Sequence, residues 1–398
     1  MRMLNVAERR RRLAVRHGLA RAGGLRQPAG PAEVARRLVA LHGTDPATVY
    51  LAIRARTAGS SPPEVIDRSF YERRDLVRML AMRRTVFAVP AASVPVIQVA
   101  VSDKIAVAQR ALALKLLRQA AGILEPEPWL ADVERSVLRI MVTAGRPLTA
   151  AELTAAEPRL RTKMTLAEGK PYEATQNITS RVLLVLAAHG KIVRGRPVGS
   201  WLSQQYQWAL AEDWLPATAA GERPQLAPSR AELARQWLAA FGPAPLADLR
   251  WWTGWTAAEA RQAVAAARAI EVELDGGQGL VLPGDLDATP DPGPWAALLP
   301  ALDPTVMGWS DRSWFLGPHG PALFDANGNA GPTVWLDGRV VGGWAQRSDG
   351  EIVLRLLEDV GAEATALIEK ETDRLAEWLG DVRVKPRFRT PTERALSA

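Results

Sequence analysis

The chain has 398 residues, 47% hydrophobic and 23% charged, which is the balance of a folded globular protein and room for three or four domains. It has no cysteine and four scattered histidines, His17, His42, His189 and His319; disulfides, thiolate zinc sites and iron–sulfur clusters are excluded, and neither a metal nor another cofactor is expected. The net charge of +7 is uneven: residues 1–125 carry 22 Lys and Arg against 9 Asp and Glu, residues 126–220 carry 11 against 9, and residues 221–398 carry 17 against 25. A basic front on an acidic rear predicts a polyanionic partner met mainly by the first half of the chain. No apolar run nears the ~18 residues of a membrane span, and the basic N-terminus has no apolar stretch behind it. A cytoplasmic protein without a membrane partner is the expectation.

In chain order, residues 6–20 form a basic amphipathic stretch. Pro31 opens a helix with Val34, Leu38 and Leu41 on one face, and Asp45-Pro46 caps another running to residue 58. Ser61-Pro62-Pro63 starts the next, through Arg74. Residues 76–84 and 85–89 then read as two strands meeting at Arg83-Arg84. Helices closed by a β-hairpin are the pattern of a winged helix.

The pattern recurs with helices at 128–144, 149–156 and 175–190 and a hairpin from Lys191 to Leu210. A proline-containing linker, 215–229, leads to a third copy: helices at 230–241, 246–252 and 256–269, then a hairpin across Gly276-Gly277. Past the Pro- and Asp-rich stretch 285–294 the composition changes. Strands at 333–341 and 342–346 are expected to turn at Asp337-Gly338, a type I′ signal. A strand at 351–356, an amphipathic helix at 362–379, a last strand at 382–388 and a loose tail from Thr390 follow. The fold class is therefore α+β: winged helices at 1–125, 126–220 and 221–293, then a small β-rich α+β module at 294–398.

The candidate chemistry sits at Leu41-His42-Gly43-Thr44-Asp45-Pro46, expected between two helices. Here, and in the helix Tyr50-Leu51-Ala52-Ile53-Arg54-Ala55-Arg56, the chain resembles the winged-helix DNA glycosylases, the azinomycin-resistance and crosslink-unhooking alkylpurine enzymes. Leu80-Ala81-Met82-Arg83-Arg84-Thr85 is similar to the first hairpin of that family. Gly199-Ser200-Trp201-Leu202-Ser203-Gln204-Gln205-Tyr206 is similar to the second. Leu299-Pro300-Ala301-Leu302-Asp303-Pro304, Asp311-Arg312 and Asp337-Gly338-Arg339-Val340-Val341-Gly342 resemble the C-terminal module.

The resemblance implies a monomeric, monofunctional DNA glycosylase that excises bulky N7-alkylguanine adducts or opens interstrand crosslinks in double-stranded DNA, in repair or antibiotic self-resistance. Where that family has glutamine, an aliphatic residue, then glutamine or aspartate, this chain has His42-Gly43-Thr44. The implied catalytic residues are His42, Thr44 and Asp45, although Asp45 also reads as a plain N-cap. An N7-alkylated purine is already cationic and leaves without an acid, so a neutral imidazole and a hydroxyl suffice to orient water. With an ordinary pKa near ~6.5, the imidazole would protonate, and activity would fall, around pH ~6–7.

Implied DNA contacts are Arg54, Arg83, Arg84, Arg181, Lys191, Arg194, Arg196, Ser200, Trp201, Gln204, Gln205, Asp303 and Arg312. Trp201 is the expected groove wedge in the second hairpin. Asp303 and Arg312 either hold the C-terminal module or line the cleft. Trp251, Trp252 and Trp255 are expected in the core. The rival reading is a non-catalytic winged-helix DNA-binding protein, a transcription regulator or damage sensor; three unequal copies lack the two-fold symmetry of a palindrome reader.

Overall fold

The computed structural model describes residues 2–20, 27–57, 61–166, 169, 173–216 and 222–398. The fold is α+β, with helices packed around small antiparallel sheets. Strands β1 (Leu41–His42), β2 (Leu76–Ala81) and β3 (Thr85–Pro90) belong to the first block, and β4 (Leu148–Thr149) to the second. A separate hairpin, β5 (Lys163–Leu166) and β6 (Ala174–Asn177), precedes the second block's wing, β7 (Ile192–Pro197) and β8 (Tyr206–Leu210). The wing does not stand alone. Both blocks merge into one six-stranded sheet, β1-β3-β2-β7-β8-β4, joined across Arg78 and Arg194.

The third block contributes β9 (Ile270–Leu274) and β10 (Gly277–Val281), a two-stranded hairpin. The C-terminal module is a four-stranded sheet: β11 (Ala296–Leu299), β12 (Thr333–Leu336), β13 (Arg339–Gln346) and β14 (Ile352–Leu356), in that order. Asp337 and Gly338 have φ of 47° and 83°, the two positive values that a type I′ turn demands. Helix starts follow the expected chemistry. Asp45 accepts a hydrogen bond from Ala47 ahead of Pro46–Arg56, and Thr149 with Glu152, like Thr256 with Glu259, forms a complete capping box.

Four expectations are corrected. Residues 174–177 are strand β6, so the helix expected from Thr175 is Thr179–Ala188; the Thr-rich segment finds a β partner in 163–166. No strand forms over 382–388; instead the Val384 amide donates to Gln346 Oε1 and the Arg387 amide to Asp45 Oδ2. The tail is helical at Pro391–Leu396, with Thr390, Thr392 and Glu393 buried. The helix Ala91–Ala120, with a π-helical segment at Gln98–Ser102, is long and apolar enough to cross a membrane. Its apolar side is used within the fold: Ile97, Ala100 and Val101 join the main core, and Ala113 and Leu117 the core of the second block. Residues 217–221 of the expected linker lie outside the described residues.

The main core runs through every part except the second block, from Leu13 and Phe87 through Trp237, Phe241 and Trp252 to Trp309, Phe315 and Trp335. At its centre is a buried polar network. Arg56 donates two hydrogen bonds to the Asp303 carboxylate, at 2.9 and 2.7 Å, and a third to Thr305 Oγ1. Both ions are fully buried. His17 completes it: Nε2 lies 3.1 Å from the Ala240 carbonyl and Nδ1 2.8 Å from Thr305 Oγ1. Because a carbonyl only accepts, Nε2 carries the proton, and Nδ1 accepts from the Thr305 hydroxyl.

Removing one partner leaves a charge buried without its counter-ion, which costs ~3–5 kcal/mol. Arg56→Ala and Asp303→Ala are each expected to lower unfolding free energy by that amount in urea titrations. The double variant should lose clearly less than the sum of the two.

Candidate functional site

His42 lies in β1, a two-residue strand paired with β3 at Ala88 and Phe87, rather than in a helix-to-helix junction. The pairing places its ring against Phe87, with centroids 5.3 Å apart. Gly43 continues the contact, its amide donating to the Val86 carbonyl at 2.8 Å. A Cβ there would come within 3.3 Å of that oxygen, so the segment approaches β3 more closely than other residues readily allow. His42 is 6% exposed and its Nδ1 is buried with no hydrogen-bond partner. Burial first, and the Arg83 charge second, bring its pKa down to about 3. The imidazole is therefore neutral throughout the physiological range, and the expected midpoint at pH ~6–7 is replaced.

Thr44 is half-buried, and its carbonyl accepts from Arg387 Nη1 at 3.5 Å. Asp45 is committed on both oxygens, Oδ1 to the Ala47 amide and Oδ2 to the Arg387 amide. Burial raises its pKa, and those backbone hydrogen bonds oppose the rise. Its evident work is to cap one helix and clasp the segment from the C-terminal module.

Around this strand stand cations. Arg83, half-buried in the β2–β3 connection, places its guanidinium 3.8 Å from the Trp251 ring centroid, and Arg312 approaches the same ring at 5.1 Å. Arg84 is exposed beside them. Trp252 and Trp255 are buried in the core as expected, whereas Trp251 is only partly buried and carries these two cations. Burial and then the neighbouring Arg312 lower the Arg83 pKa to about 10.

The wing residues separate into two groups. Lys191, Arg196, Ser200, Gln204 and Gln205 are exposed. Arg196 also reaches Asp67 at 3.5 Å and lies over Tyr71. Arg194 lies over Tyr206 and Trp208. Trp201 is stacked on Tyr50 at 4.7 Å and edge-on to Trp378, so its ring braces the wing against two other parts of the fold. Arg181 is half-buried on the helix Thr179–Ala188. Arg54 is 4% exposed and faces Glu371, and Asp303 is enclosed by Arg56. These last two have little or no surface to present to a partner.

Sequence reasoning missed Arg387, which touches both Thr44 and Asp45. Its signal was the alternating Lys385, Arg387, Arg389, hidden by reading that stretch as a strand. Among the described residues no group of three His, Asp or Glu side chains is placed to hold a metal ion.

A family model for AlkZ-like DNA glycosylases matches residues 35–378, which span the features just described apart from the segment around Arg387. The chain belongs to the AlkZ-like DNA glycosylase family. Its members hydrolyse N-glycosyl bonds in DNA, and DNA is thus the substrate. The solved structure of Streptomyces sahachiroi DNA glycosylase AlkZ superposes on this glycosylase with a TM-score of 0.71 and 22% identity, over 96% of this chain and 98% of that one. The likeness extends the shared fold over nearly the whole chain. Among curated proteins no relative matches it.

His42 also sets a pH dependence. Its folded pKa of about 3 lies below the unfolded value of ~6.5, so between them the unfolded chain binds the proton and the folded one does not. The stabilisation is complete above pH ~6.5 and is lost as pH falls through that window. His17, buried and also lowered, acts in the same direction. Denaturation at pH 4 should show about 3 kcal/mol less stability for wild type than for His42→Gln, relative to their difference at pH 7.5. NMR should find no His42 protonation from pH 8 to 5.

Proposed function

We propose that this glycosylase releases bulky N7-alkylguanine-type bases, including one arm of an interstrand crosslink, from double-stranded DNA, and acts as a cytoplasmic monomer in repair or self-resistance. The observation that carries the reading is His42: a neutral imidazole with an unpartnered buried nitrogen, on the strand that leads into Thr44. An unpaired buried polar atom costs ~1–3 kcal/mol and calls for an explanation. A water bound in the substrate complex supplies one.

The chemistry asks little of an acid. Cleavage of the C1′–N9 bond returns its electron pair to the purine and neutralises the charge left by alkylation. Water then forms the C1′–O bond, and its proton passes to solvent. Neutral His42 accepts the hydrogen bond that aims this water, with the Thr44 hydroxyl as a second anchor. A protonated imidazole could not accept, and it would repel the oxocarbenium-like sugar. Burial beside Arg83 prevents that state. Arg84, Lys191, Arg194 and Arg196 supply cations for phosphates, with Ser200, Gln204 and Gln205 as exposed polar groups at the wing tip.

The deciding experiment incubates the full chain with duplex carrying N7-methylguanine or a bulkier N7 adduct and measures alkali-labile abasic sites. Wild type is expected to excise the adduct, His42→Ala to be slower by ~100-fold or more, and Thr44→Val to lose less. Duplex affinity should be nearly unchanged in both, because phosphate contacts dominate it. Wild-type rates in His42→Ala would place the chemistry elsewhere. Absence of excision on every N7 adduct would leave a DNA-binding damage sensor.

A further inference from the structure

We propose that Arg83 and Arg312, laid on the Trp251 indole, form a clamp for a single phosphodiester beside the damaged nucleotide and so fix its sugar opposite His42. The inference deepens the glycosylase reading above and rests on it. These are positioning residues: they hold the strand, and His42 faces the reacting carbon.

The first observation is an unbalanced pair of charges. The two guanidiniums share one indole, at 3.8 and 5.1 Å from its centroid. Neither makes an ion pair among the described residues. Asp248, whose charge acts on Arg312, forms no ion pair with either arginine: its Oδ1 accepts the amides of Ser310 and Asp311 at 2.9 and 3.0 Å, and its Oδ2 is buried without a hydrogen-bond partner. Arg312 uses Nε on the Val306 carbonyl, and Arg83 Nε is buried with no partner. A cation–π contact is worth ~0.5–2 kcal/mol and explains one arginine on a tryptophan. Arg312 also lies 4.9 Å from the Phe324 ring, yet neither ring can offset the repulsion between two cations that meet at one indole. An anion between them can, and the phosphodiester is the anion that DNA carries.

The second observation is backbone strain at the same place. Arg83 and its neighbour Arg84 have φ of 53° and 59°, in the left-handed region that side chains with a Cβ seldom enter. Two successive residues there cost ~1 kcal/mol or more each, and such strain collects at ligand clamps and active sites. In the connection between β2 and β3 an Asn-Gly pair would remove that strain. Arginine at this position turns a guanidinium toward Trp251 instead.

The third observation is origin. Arg83 belongs to the first block, Trp251 to the helix Leu246–Thr253, and Arg312 to the C-terminal module. The electrostatic influence of Arg83 on His42 connects the clamp to the reacting centre. A phosphate held there would be gripped by three parts of the chain at once.

The test measures binding, so it needs no bond cleavage and stays readable if excision fails in the experiment above. The full chain is titrated into duplex containing a tetrahydrofuran abasic-site analogue, with a neutral methylphosphonate replacing one phosphate at a time around it. At one position wild type is expected to lose about tenfold in affinity. The Arg83→Gln/Arg312→Gln variant should bind the unmodified duplex at least about tenfold more weakly and be indifferent to methylphosphonate at that one position. It should keep wild-type sensitivity elsewhere, and its salt slope should fall by ~1. The Arg83→Lys/Arg312→Lys variant, which keeps both charges, should retain the position-specific loss. Equal loss in wild type and the glutamine variant at every position overturns the clamp, as does a wild type with no sensitive position. If the glutamine variant fails to fold, the lysine variant decides: native-like melting without the position-specific loss overturns the proposal, and its retention supports it.

Discussion

The fold is organised around the Arg56–Asp303 ion pair. Burying two full charges is unfavourable by itself, and the interaction survives because both Arg56 Nη groups find acceptors: two carboxylate oxygens, the Thr305 hydroxyl and the Ala52 carbonyl, with only Nε left without a partner. His17 extends the network to Ala240. Four parts of the chain, remote in sequence, thereby share one set of hydrogen bonds. An apolar substitute could fill the same volume without fixing which carboxylate meets which helix. The network specifies the arrangement of the first block against the C-terminal module, and β1 with His42 is carried on that arrangement.

The same constraint explains the site's asymmetry. Asp45, which could have served as a base, is tied to the first turn of its helix and to the Arg387 amide. His42, whose ring has no such ties, is left as the available acceptor. A histidine is usually placed in an enzyme to change charge near neutral pH. Here burial against Phe87 with Arg83 nearby suppresses that property, and what remains is a neutral imidazole whose buried Nδ1 has the chemistry of a hydrogen-bond acceptor.

Local signals made much of the fold legible. Asp45-Pro46 and Asp337-Gly338 act through neighbouring atoms, and they placed one helix start and one hairpin correctly. What failed depended on distant partners. Residues 174–177 become a strand only because 163–166 are beside them, and 382–388 lose strand character because Gln346 and Asp45 take their amides. For the site, the His42–Asp45 segment was visible as a contiguous motif through its family resemblance. The pairing of Arg83 with Arg312 was not, because nothing in either segment names Trp251 as their common support. Asp303 was visible as a charged residue in a recognisable segment, and only packing shows that it is enclosed.

The merged sheet has a metric consequence. In the order β1-β3-β2-β7, His42's strand and the wing strand are three strand spacings apart, or ~14 Å at ~4.8 Å each. Independent modules on a flexible connection would sample a range of separations. One sheet, joined between the blocks at the Arg78–Arg194 bridge, behaves as a ruler, and its length is close to four base-pair steps of duplex at ~3.4 Å per step. The separation between β1 and the β7–β8 hairpin is thus set by the repeat of the β-sheet, a dimension that loop length cannot adjust.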